Sequence, residues 1–208
     1  MIMLALAVGT MLSGGDEGRI IFAIYERNLY THRNASGNLV GKGSGGVTSK
    51  SSFLLQKPKS FRLIDDQINM YSDGKVQFNY LIPEKEYFKR DVSRGFGFGS
   101  PCALDSFFGS ATGSSAPYFV KKTEFRMQKL DGRECAAKAL HFESFGRDDR
   151  MVFYVDRATR QMLGWDQVFG GRKMYYRFVN LRFDVDVPKD AFEWKPPPGI
   201  KERVLRHG

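Results

Sequence analysis

The feature that most constrains this chain is a series of tight turns between short alternating segments, and it is densest over residues 58–90. Asp73 and Gly74 separate two runs of alternating apolar and polar residues. This is the pattern of a β-hairpin, because glycine adopts the positive φ that a two-residue turn requires. Residues 83–85 close the next hairpin and residues 87–89 begin another strand. We therefore predict an antiparallel meander of three short strands in this segment.

The same style of patterning continues through the rest of the chain. By composition and turn signals we predict strands at residues 19–30, 47–56, 121–130, 133–143, 151–156, 161–169 and 173–185. Residues 31–46 are rich in Gly, Asn and Ser and are predicted to form a loop. Residues 92–117 predict a long glycine-rich loop with a short helix at residues 102–108, since Ser100 suits an N-cap and Pro101 the first helical position. Hairpins without βαβ spacing predict one strongly curved antiparallel sheet, mainly β (α+β), with one or two helices covering its concave face.

Composition supports a single large β domain with an apolar interior. The 208 residues include 18 Phe and 9 Tyr, which favours strands and an aromatic cavity. Both faces of the predicted strand at residues 173–185 carry apolar side chains, as expected for a sheet curled around helices or a ligand. The net charge of +9 indicates affinity for an acidic partner, namely an anionic lipid, a nucleic acid or an acidic protein. Cys102 and Cys135 could form a disulfide or remain buried thiols.

The first twelve residues are the most apolar stretch of the chain. They are too short to span a bilayer, and they lack the cationic start and the cleavage site of a signal peptide. Two interpretations remain open: a truncated first helix that Gly14 and Gly15 end, and a degenerate signal peptide. We expect residues 1–15 to be separate from a single domain at residues 16–200, followed by a basic tail at residues 201–208.

Two glycine-rich motifs resemble nucleotide-binding and RNA-binding signatures but lack their context. Residues 41–46 fit G-x-G-x-x-G, yet a strand-like segment follows where a phosphate-binding helix is needed. Residues 94–98 match the first half of the RNP1 motif of RNA-recognition domains. The match then fails, because Gly99 and Pro101 stand where Val and an aromatic residue are expected. We therefore favour loops at both places and do not expect nucleic acid as the partner, and an RNA-binding module is kept as the least favoured of three alternatives.

The sequence indicates no catalytic residue, metal site or cofactor. The three histidines, His32, His141 and His207, are scattered, and no H-E-x-x-H, C-x-x-C or G-x-S-x-G motif is present. The acidic residues at 65–66, 148–149, 184 and 186 all fall at predicted turns or strand ends, where solvated turn carboxylates explain them. We therefore predict a protein that binds a ligand and is not an enzyme.

Six motifs in a consistent order give the chain a resemblance to a known family. They are Lys57-Pro58 with Phe61-Arg62, Ser72-Asp73-Gly74-Lys75, Tyr80 with Pro83 and Tyr87, Leu130-Asp131-Gly132-Arg133-Glu134-Cys135, Val155-Asp156-Arg157-Ala158-Thr159, and the closing run from Phe192 to Gly199. Asp16-Glu17-Gly18 before the first predicted strand resembles the family's relatives of unknown function. In these motifs the chain resembles the LolA-like family, the periplasmic lipoprotein carriers and related domains of unknown function, over about residues 16 to 200.

The resemblance implies a half-barrel whose concave apolar face holds the acyl chain of a lipid or lipoprotein in a bacterial periplasmic or other extracytoplasmic compartment. Candidate cavity residues are Phe61, Leu63, Phe78, Tyr80, Phe125, Met127, Phe153 and Phe178, and candidate lid residues are Phe96, Phe98, Phe107 and Phe108. Arg62 is the candidate for the carrier's polar trigger. The expected partner is a lipid or an acylated protein, bound by a monomer that transports it. The alternative is a regulatory sensor that binds lipid or a membrane protein through the same groove.

Overall fold

One helix and twelve strands make up the part of the chain that the structure, a computed structural model, describes: residues 13–43, 46, 48–92, 119–143 and 149–204. The elements are α1 (Gly14–Thr31), β1 (Asn34–Gly43), β2 (Thr48–Gln56), β3 (Ser60–Ile64), β4 (Ile68–Ser72), β5 (Val76–Leu81), β6 (Glu86–Asp91), β7 (Phe119–Leu130), β8 (Arg133–Glu143), β9 (Arg150–Asp156), β10 (Met162–Phe169), β11 (Arg172–Phe183) and β12 (Lys201–Glu202). None of the helices in these ranges has the length and apolar character needed to cross a membrane.

All twelve strands belong to one sheet in the order β12-β6-β5-β4-β3-β2-β1-β11-β10-β9-β8-β7. Two meanders, β1–β6 and β7–β11, are joined where β1 pairs with β11, and every pairing is antiparallel except the short parallel contact of β12 with β6. The sheet is long, curved and unclosed, with α1 on one side. The predicted half-barrel with a helix is confirmed.

Helix α1 replaces the strand that was predicted at residues 19–30, so that prediction is wrong. Its buried residues, Ile21, Phe22, Tyr25 and Leu29, recur at spacings of one, three and four, which is the period of one helix face. Ser13 caps its start, since the hydroxyl oxygen accepts a hydrogen bond from the backbone N–H of Asp16. The β-branched and aromatic composition suggested a strand, but the spacing of the apolar residues decided for a helix.

Strand β1 lies where a loop was predicted over residues 31–46, and that prediction is also wrong. The strand has glycine at positions 37 and 41, where the sheet is so closely packed that a side chain would displace its neighbours. A Cβ on Gly37 would lie 2.9 Å from the Phe53 ring, and a Cβ on Gly41 would lie 2.6 Å from the Ser49 hydroxyl. Strands β1 and β2 pair as an antiparallel hairpin, in which Lys42 lies opposite Thr48. No helix follows residues 41–46, so the G-x-G-x-x-G pattern is not a phosphate-binding loop.

Residues 58–90 form four strands, β3 to β6, where the sequence predicted three. The additional turn lies between β3 and β4 and is stabilised by Asp65, whose Oδ1 accepts hydrogen bonds from the backbone N–H groups of Gln67 at 2.8 Å and Ile68 at 2.6 Å. The predicted hairpin at Asp73 has the same form, with Oδ1 accepting from Val76 N–H at 2.8 Å.

The two faces of the sheet differ in what covers them. We call the face on which α1 packs the inner face; it carries Phe61, Ala136 and Trp165, which belong to one buried cluster with α1. The other side is the outer face, where a smaller buried cluster contains Cys135 as a free thiol and Tyr154. The fold thus has one main core, between helix and sheet.

The C-terminal segment covers part of the outer face. The Trp194 ring lies between 5.1 and 6.1 Å from the rings of four aromatic residues of β4, β5 and β6, namely Tyr71, Phe78, Tyr80 and Tyr87. Trp194 thus packs the segment onto the sheet. Lys201 and Glu202 then pair with β6, so the proposed boundary at residue 200 falls just before the last strand of the sheet.

Several predictions concern residues outside the described ranges. They are the apolar segment at residues 1–12, the RNP1-like residues 94–98, the helix at residues 102–108, Cys102, His207, and the lid residues Phe96, Phe98, Phe107 and Phe108. These, and the domain boundaries, stay predictions.

Candidate ligand-binding face

Six of the eight predicted cavity residues lie in the apolar cluster of the inner face. They are Phe61, Leu63, Phe125, Met127, Phe153 and Phe178. The strands carry them from both meanders, so residues far apart in sequence share one surface. Phe125 packs edge-on against Phe22 of α1, with ring centroids 5.8 Å apart. The structure therefore brings these six together, and their contact with a ligand stays a prediction.

The other two predicted cavity residues, Phe78 and Tyr80, are on the outer face, and their placement in the cavity is corrected. Strand register shows this directly. The inner-face residue Phe61 pairs with Ser72, so the neighbouring residue Tyr71 is on the outer face. Phe78 pairs with Tyr71 and is therefore on the outer face as well. Both aromatic rings are covered by Trp194 instead of α1. Packing onto Trp194 satisfies their apolar character, so they are structural in this fold.

Arg62 is likewise on the outer face, directly across from Tyr71 in the pairing of β3 with β4. Its neighbour Phe61 is on the inner face and is completely buried, with 0% of its surface exposed. Phe61 is therefore a core residue that a ligand reaches only if its neighbours move. The trigger role of Arg62 stays a prediction.

Helix α1 packs mainly on one part of the inner face. Its backbone lies against β7, β8 and β9, and the Tyr25 hydroxyl reaches Met162 of β10. The half-buried apolar residues Leu63, Met70 and Phe178 belong to other strands. On the helix itself, Ile20 and Ile24 are 47% and 37% exposed at a spacing of one turn. Apolar side chains are thus partly exposed both on the helix and on the sheet.

Ion pairs fix α1 over β8 and β9. Glu26 accepts from Lys138 Nζ at 2.8 Å, and Glu17 pairs with Arg157 Nε at 2.8 Å. Arg157 also binds Glu134 at 2.7 Å, so one guanidinium joins the first turns of the helix to a strand end. Exposed pairs of this kind contribute little stability each, but they select where the helix lies.

The end of α1 is held by the first motif of the family resemblance. Lys57 Nζ donates hydrogen bonds to the carbonyl oxygens of Leu29 at 2.6 Å and Tyr30 at 3.2 Å, two of the carbonyls that a helix end leaves unpaired. Burial lowers the pKa of Lys57, which shows that its charge is partly withdrawn from water. Next to it, His32 Nδ1 lies 2.7 Å from Asp184 Oδ2. The helix is thus anchored to the ends of β2 and β11.

The inner face becomes polar at β5 and β6, which sequence reasoning missed. Gln77 and Asn79 are 1% and 3% exposed, and by register they share the inner face with Phe61, Leu63 and Arg90. Arg90 donates to Gln77 Oε1 from Nη2 at 2.8 Å and from Nε at 3.1 Å. The signal was present in the sequence as the alternation of Gln77 and Asn79 with Phe78 and Tyr80, but the apolar members were assigned to the core.

A polar depression of about 370 Å³ lies on the outer face. Its lining includes Glu124, His141, Asp166 and Lys173. His141 Nε2 lies 3.3 Å from Glu124, and the Tyr154 hydroxyl donates to Asp166 at 2.7 Å. Burial, together with this hydrogen bond, raises the pKa of Tyr154. The carboxylates here are paired with cations or hydroxyl groups, as in a structural network.

The acidic residues that the sequence placed at turns act there as turn ligands. Asp65, Asp73 and Asp156 each accept two backbone N–H hydrogen bonds on Oδ1, at 2.6 to 2.9 Å. Asp184 accepts from Arg33 N–H at 2.8 Å. Their oxygen atoms hold the backbone of the turns. This confirms the turn interpretation for Asp65 and Asp184, whereas Asp149 is buried, with 7% of its surface exposed, and is not a solvated carboxylate.

Comparison with known proteins adds one curated relative. No family model matches the chain. An uncharacterized protein of Methanocaldococcus jannaschii is 26% identical over 159 residues, which make up 74% of this chain and 43% of that protein. The chain therefore spans less than half the length of this curated relative.

Solved structures with a similar arrangement include two of particular interest. A LolA superfamily protein from Nitrosomonas europaea has a TM-score of 0.41 and 7% identity, with 85% of this chain and 97% of that chain covered. LprF from Mycobacterium bovis has a TM-score of 0.47 and 8% identity, with 86% of this chain and 99% of that chain covered. At such low similarity, no ligand or partner is carried over from either protein to this chain.

Proposed function

We propose that this protein binds an apolar chain, such as the acyl chain of a lipid or an acylated protein, on the inner face of its sheet, without catalysing a reaction. The observation that supports this most is the extent of apolar surface on the inner face compared with the area that α1 covers. Leu63, Met70 and Phe178 are only half-buried although they lie on the core side of the sheet. Ile20 and Ile24 extend the same apolar character along α1.

The energetics of such a site need no polar chemistry. Removing one methylene group from water contributes about 0.8 kcal/mol, so a twelve-carbon chain contributes about 10 kcal/mol when fully buried. Association costs at least about 4 kcal/mol, because chain and protein lose freedom. The remaining free energy of about 6 kcal/mol corresponds to a dissociation constant in the range of about 10–100 μM for a fully buried chain.

A carrier must also release its ligand, and the anchoring of α1 suggests how. Lys57 and the pairs of Glu17 and Glu26 hold the helix through charged contacts, in addition to the packing of its buried face in the core cluster. The charged contacts are individually weak, so we infer that release requires the helix to shift by opening part of its core packing while the sheet stays intact. We infer a periplasmic or other extracytoplasmic carrier of lipid or acylated protein that acts as a monomer. A sensor that binds lipid or a membrane-protein segment through the same face is the second candidate.

The test compares two adjacent residues on opposite faces of β3. Leu63→Gln places an amide on the inner face, whereas Ile64→Gln places the same amide on the outer face, and both positions are half-buried. Binding of a fluorescent fatty-acid probe is titrated for both variants and the parent chain, at low and high salt. We expect Leu63→Gln to weaken binding by about 5- to 30-fold and Ile64→Gln to change it by less than about 2-fold.

Binding of the probe should be insensitive to salt and should be displaced by an apolar dye. Absence of probe binding to the parent chain, or equal effects of the two substitutions, contradicts an inner-face site. An affinity that falls steeply with salt would instead indicate that the basic surface binds a polyanion.

A further inference from the structure

The polar end of the inner face contains hydrogen-bond donors that the described protein does not use. Gln77 is at its centre and is fully engaged: its Oε1 accepts from Arg90, and its Nε2 donates to Asn79 Oδ1 at 2.7 Å. Asn79 is 3% exposed, and its Nδ2 atom has no hydrogen-bond partner in the described structure. A buried donor without an acceptor costs free energy, so its persistence points to an acceptor that arrives from elsewhere.

Arg90, which Gln77 joins to Asn79, supplies a second donor. Its Nε and Nη2 are directed to Gln77, and no Nη1 contact and no carboxylate partner of Arg90 occurs among the described residues. Burial lowers the pKa of this guanidinium, which remains charged at any physiological pH. Arg90 also lines an open pocket of about 540 Å³ with Lys75, Val76, Lys89 and Asp91, in which Lys89 pairs with Glu202 at 3.0 Å.

These donors lie at the edge of the apolar face. Asn79 pairs with Met70, which in turn pairs with Leu63, so the polar group is one strand from the apolar residues of the inner face. Donors alone, one of them cationic, select a ligand group that only accepts hydrogen bonds and carries negative charge. A fatty-acid carboxylate has this chemistry and is attached to the chain that the apolar surface would hold.

We propose that Arg90 and Asn79 form a binding site for the carboxylate of a fatty acid whose chain lies on the inner face. This rests on the proposed function, because the chain needs the apolar surface. The guanidinium donates from Nη1 and the amide from Nδ2 to the two carboxylate oxygens, while Gln77 holds both side chains in place. The proposal assigns the headgroup selectivity of the site to these two residues.

The experiment uses three ligands and the full chain. Laurate carries chain and carboxylate, dodecanol carries the chain alone, and acetate carries the carboxylate alone; each is titrated by calorimetry at pH 8. We expect laurate to bind about 10- to 100-fold more tightly than dodecanol, the range expected for charge-assisted hydrogen bonds in a partly buried site. Acetate should show no measurable binding, because it lacks the apolar chain.

Three variants assign the preference to the site. Asn79→Asp is nearly isosteric and replaces the free donor with an acceptor, so the preference for laurate should fall to less than about 3-fold while dodecanol binding is retained. Arg90→Met should do the same, and Arg182→Met, an equal charge loss at an exposed outer-face position on β11, should leave the preference unchanged. Near-ultraviolet circular dichroism and retained dodecanol binding show that each variant is folded.

The outcomes separate this proposal from the proposed function. If neither laurate nor dodecanol binds the parent chain, the apolar site itself is refuted. If both bind with equal affinity, or if the laurate preference survives in Asn79→Asp and Arg90→Met, the apolar site stands and the carboxylate site is refuted. Binding of acetate as tight as that of laurate also overturns the proposal, since it would show that an anion binds without any contribution from the ligand's apolar chain.

Discussion

Removal of the Lys57 charge should loosen helix α1 specifically. The ammonium group donates to the carbonyls of Leu29 and Tyr30 at the end of the helix, where its positive charge also lies near the negative end of the helix dipole. Lys57→Met keeps most of the apolar stem and removes both interactions. The two carbonyls then lose their charged donor, although water can replace part of the bonding.

The expected loss of stability in Lys57→Met is the difference between the interactions that are lost and the burial cost that is relieved. A hydrogen bond to a charged group contributes about 1.5–3 kcal/mol, and a cation at a helix C-terminus about 0.3–1 kcal/mol. The cost of partly burying the ammonium, which is visible as its lowered pKa, offsets a part of this. We expect a net loss of about 1–2 kcal/mol in the free energy of unfolding, or about 2–8 °C in Tm for a chain of this size.

Two measurements check this prediction. Thermal unfolding gives the change in Tm, and hydrogen exchange gives the protection of backbone amides in α1 relative to those in the sheet. Lys50→Met is the matched control, because Lys50 is exposed on β2. Similar losses for both variants, or unchanged protection of α1 in Lys57→Met, would refute the idea that Lys57 anchors the helix.

Three further perturbations test the packing of the sheet. Trp194→Ala should cost about 2–4 kcal/mol in urea unfolding, because it uncovers the aromatic residues of β4 to β6 on the outer face. Gly164→Ala should cost about 3 kcal/mol or more, since φ is +146° and a Cβ would collide with the carbonyl oxygen of Tyr176; wild-type stability there would contradict the register of β10 with β11. Asp156→Asn should cost about 1–3 kcal/mol at pH 7, because the Asp156 carboxylate pairs with Arg133 at 2.7 Å and caps a turn. Burial raises the pKa of Asp156 but hydrogen bonds lower it further, so the folded pKa lies below the unfolded pKa. The difference between variant and parent in a pH series should therefore be full above about pH 4 and vanish as the pH falls through the folded pKa, and a difference that persists unchanged in acid would contradict this role.

The turns could be predicted from the sequence because their chemistry is local. Asp73 with Gly74 and Asp131 with Gly132 were identified as hairpins, and the structure has positive φ at Gly74 and Gly132. Each turn needs only its own side chain and backbone, so neighbouring residues contain the information. The series of hairpins then gave the sheet, its antiparallel order and the half-barrel.

The two elements that the sequence analysis misassigned, β1 and α1, were missed for different reasons. Gly37 looked like a loop residue, but it lies in a strand because the Phe53 ring and the backbone of Leu181 leave no room for a Cβ. Helix α1 was assigned by composition when the spacing of Ile21, Tyr25 and Leu29 contained the correct signal. The first error follows from a residue 16 positions away in a partner strand, as Phe53 pairs with Gly37; the second follows from the weight given to β-branched residues.

The candidate site was predicted in part, and its error is instructive. Phe78 and Tyr80 alternate with Gln77 and Asn79, and the usual rule assigns the aromatic residues to the core. The rule fails here because Trp194 covers the outer face, so apolar side chains are buried there too. The apolar residues of β5 therefore lie on the outer face, under Trp194, a residue more than a hundred positions away in the sequence.

Native mass spectrometry of the protein purified without added lipid tests the central claim most directly. Bound material is identified after organic extraction, and Leu63→Gln is compared with Ile64→Gln prepared in parallel. An apolar chain as ligand predicts an additional mass that is released by extraction, lost in Leu63→Gln and kept in Ile64→Gln. A clean mass for the parent chain that stays unchanged after incubation with a fatty acid would contradict the account.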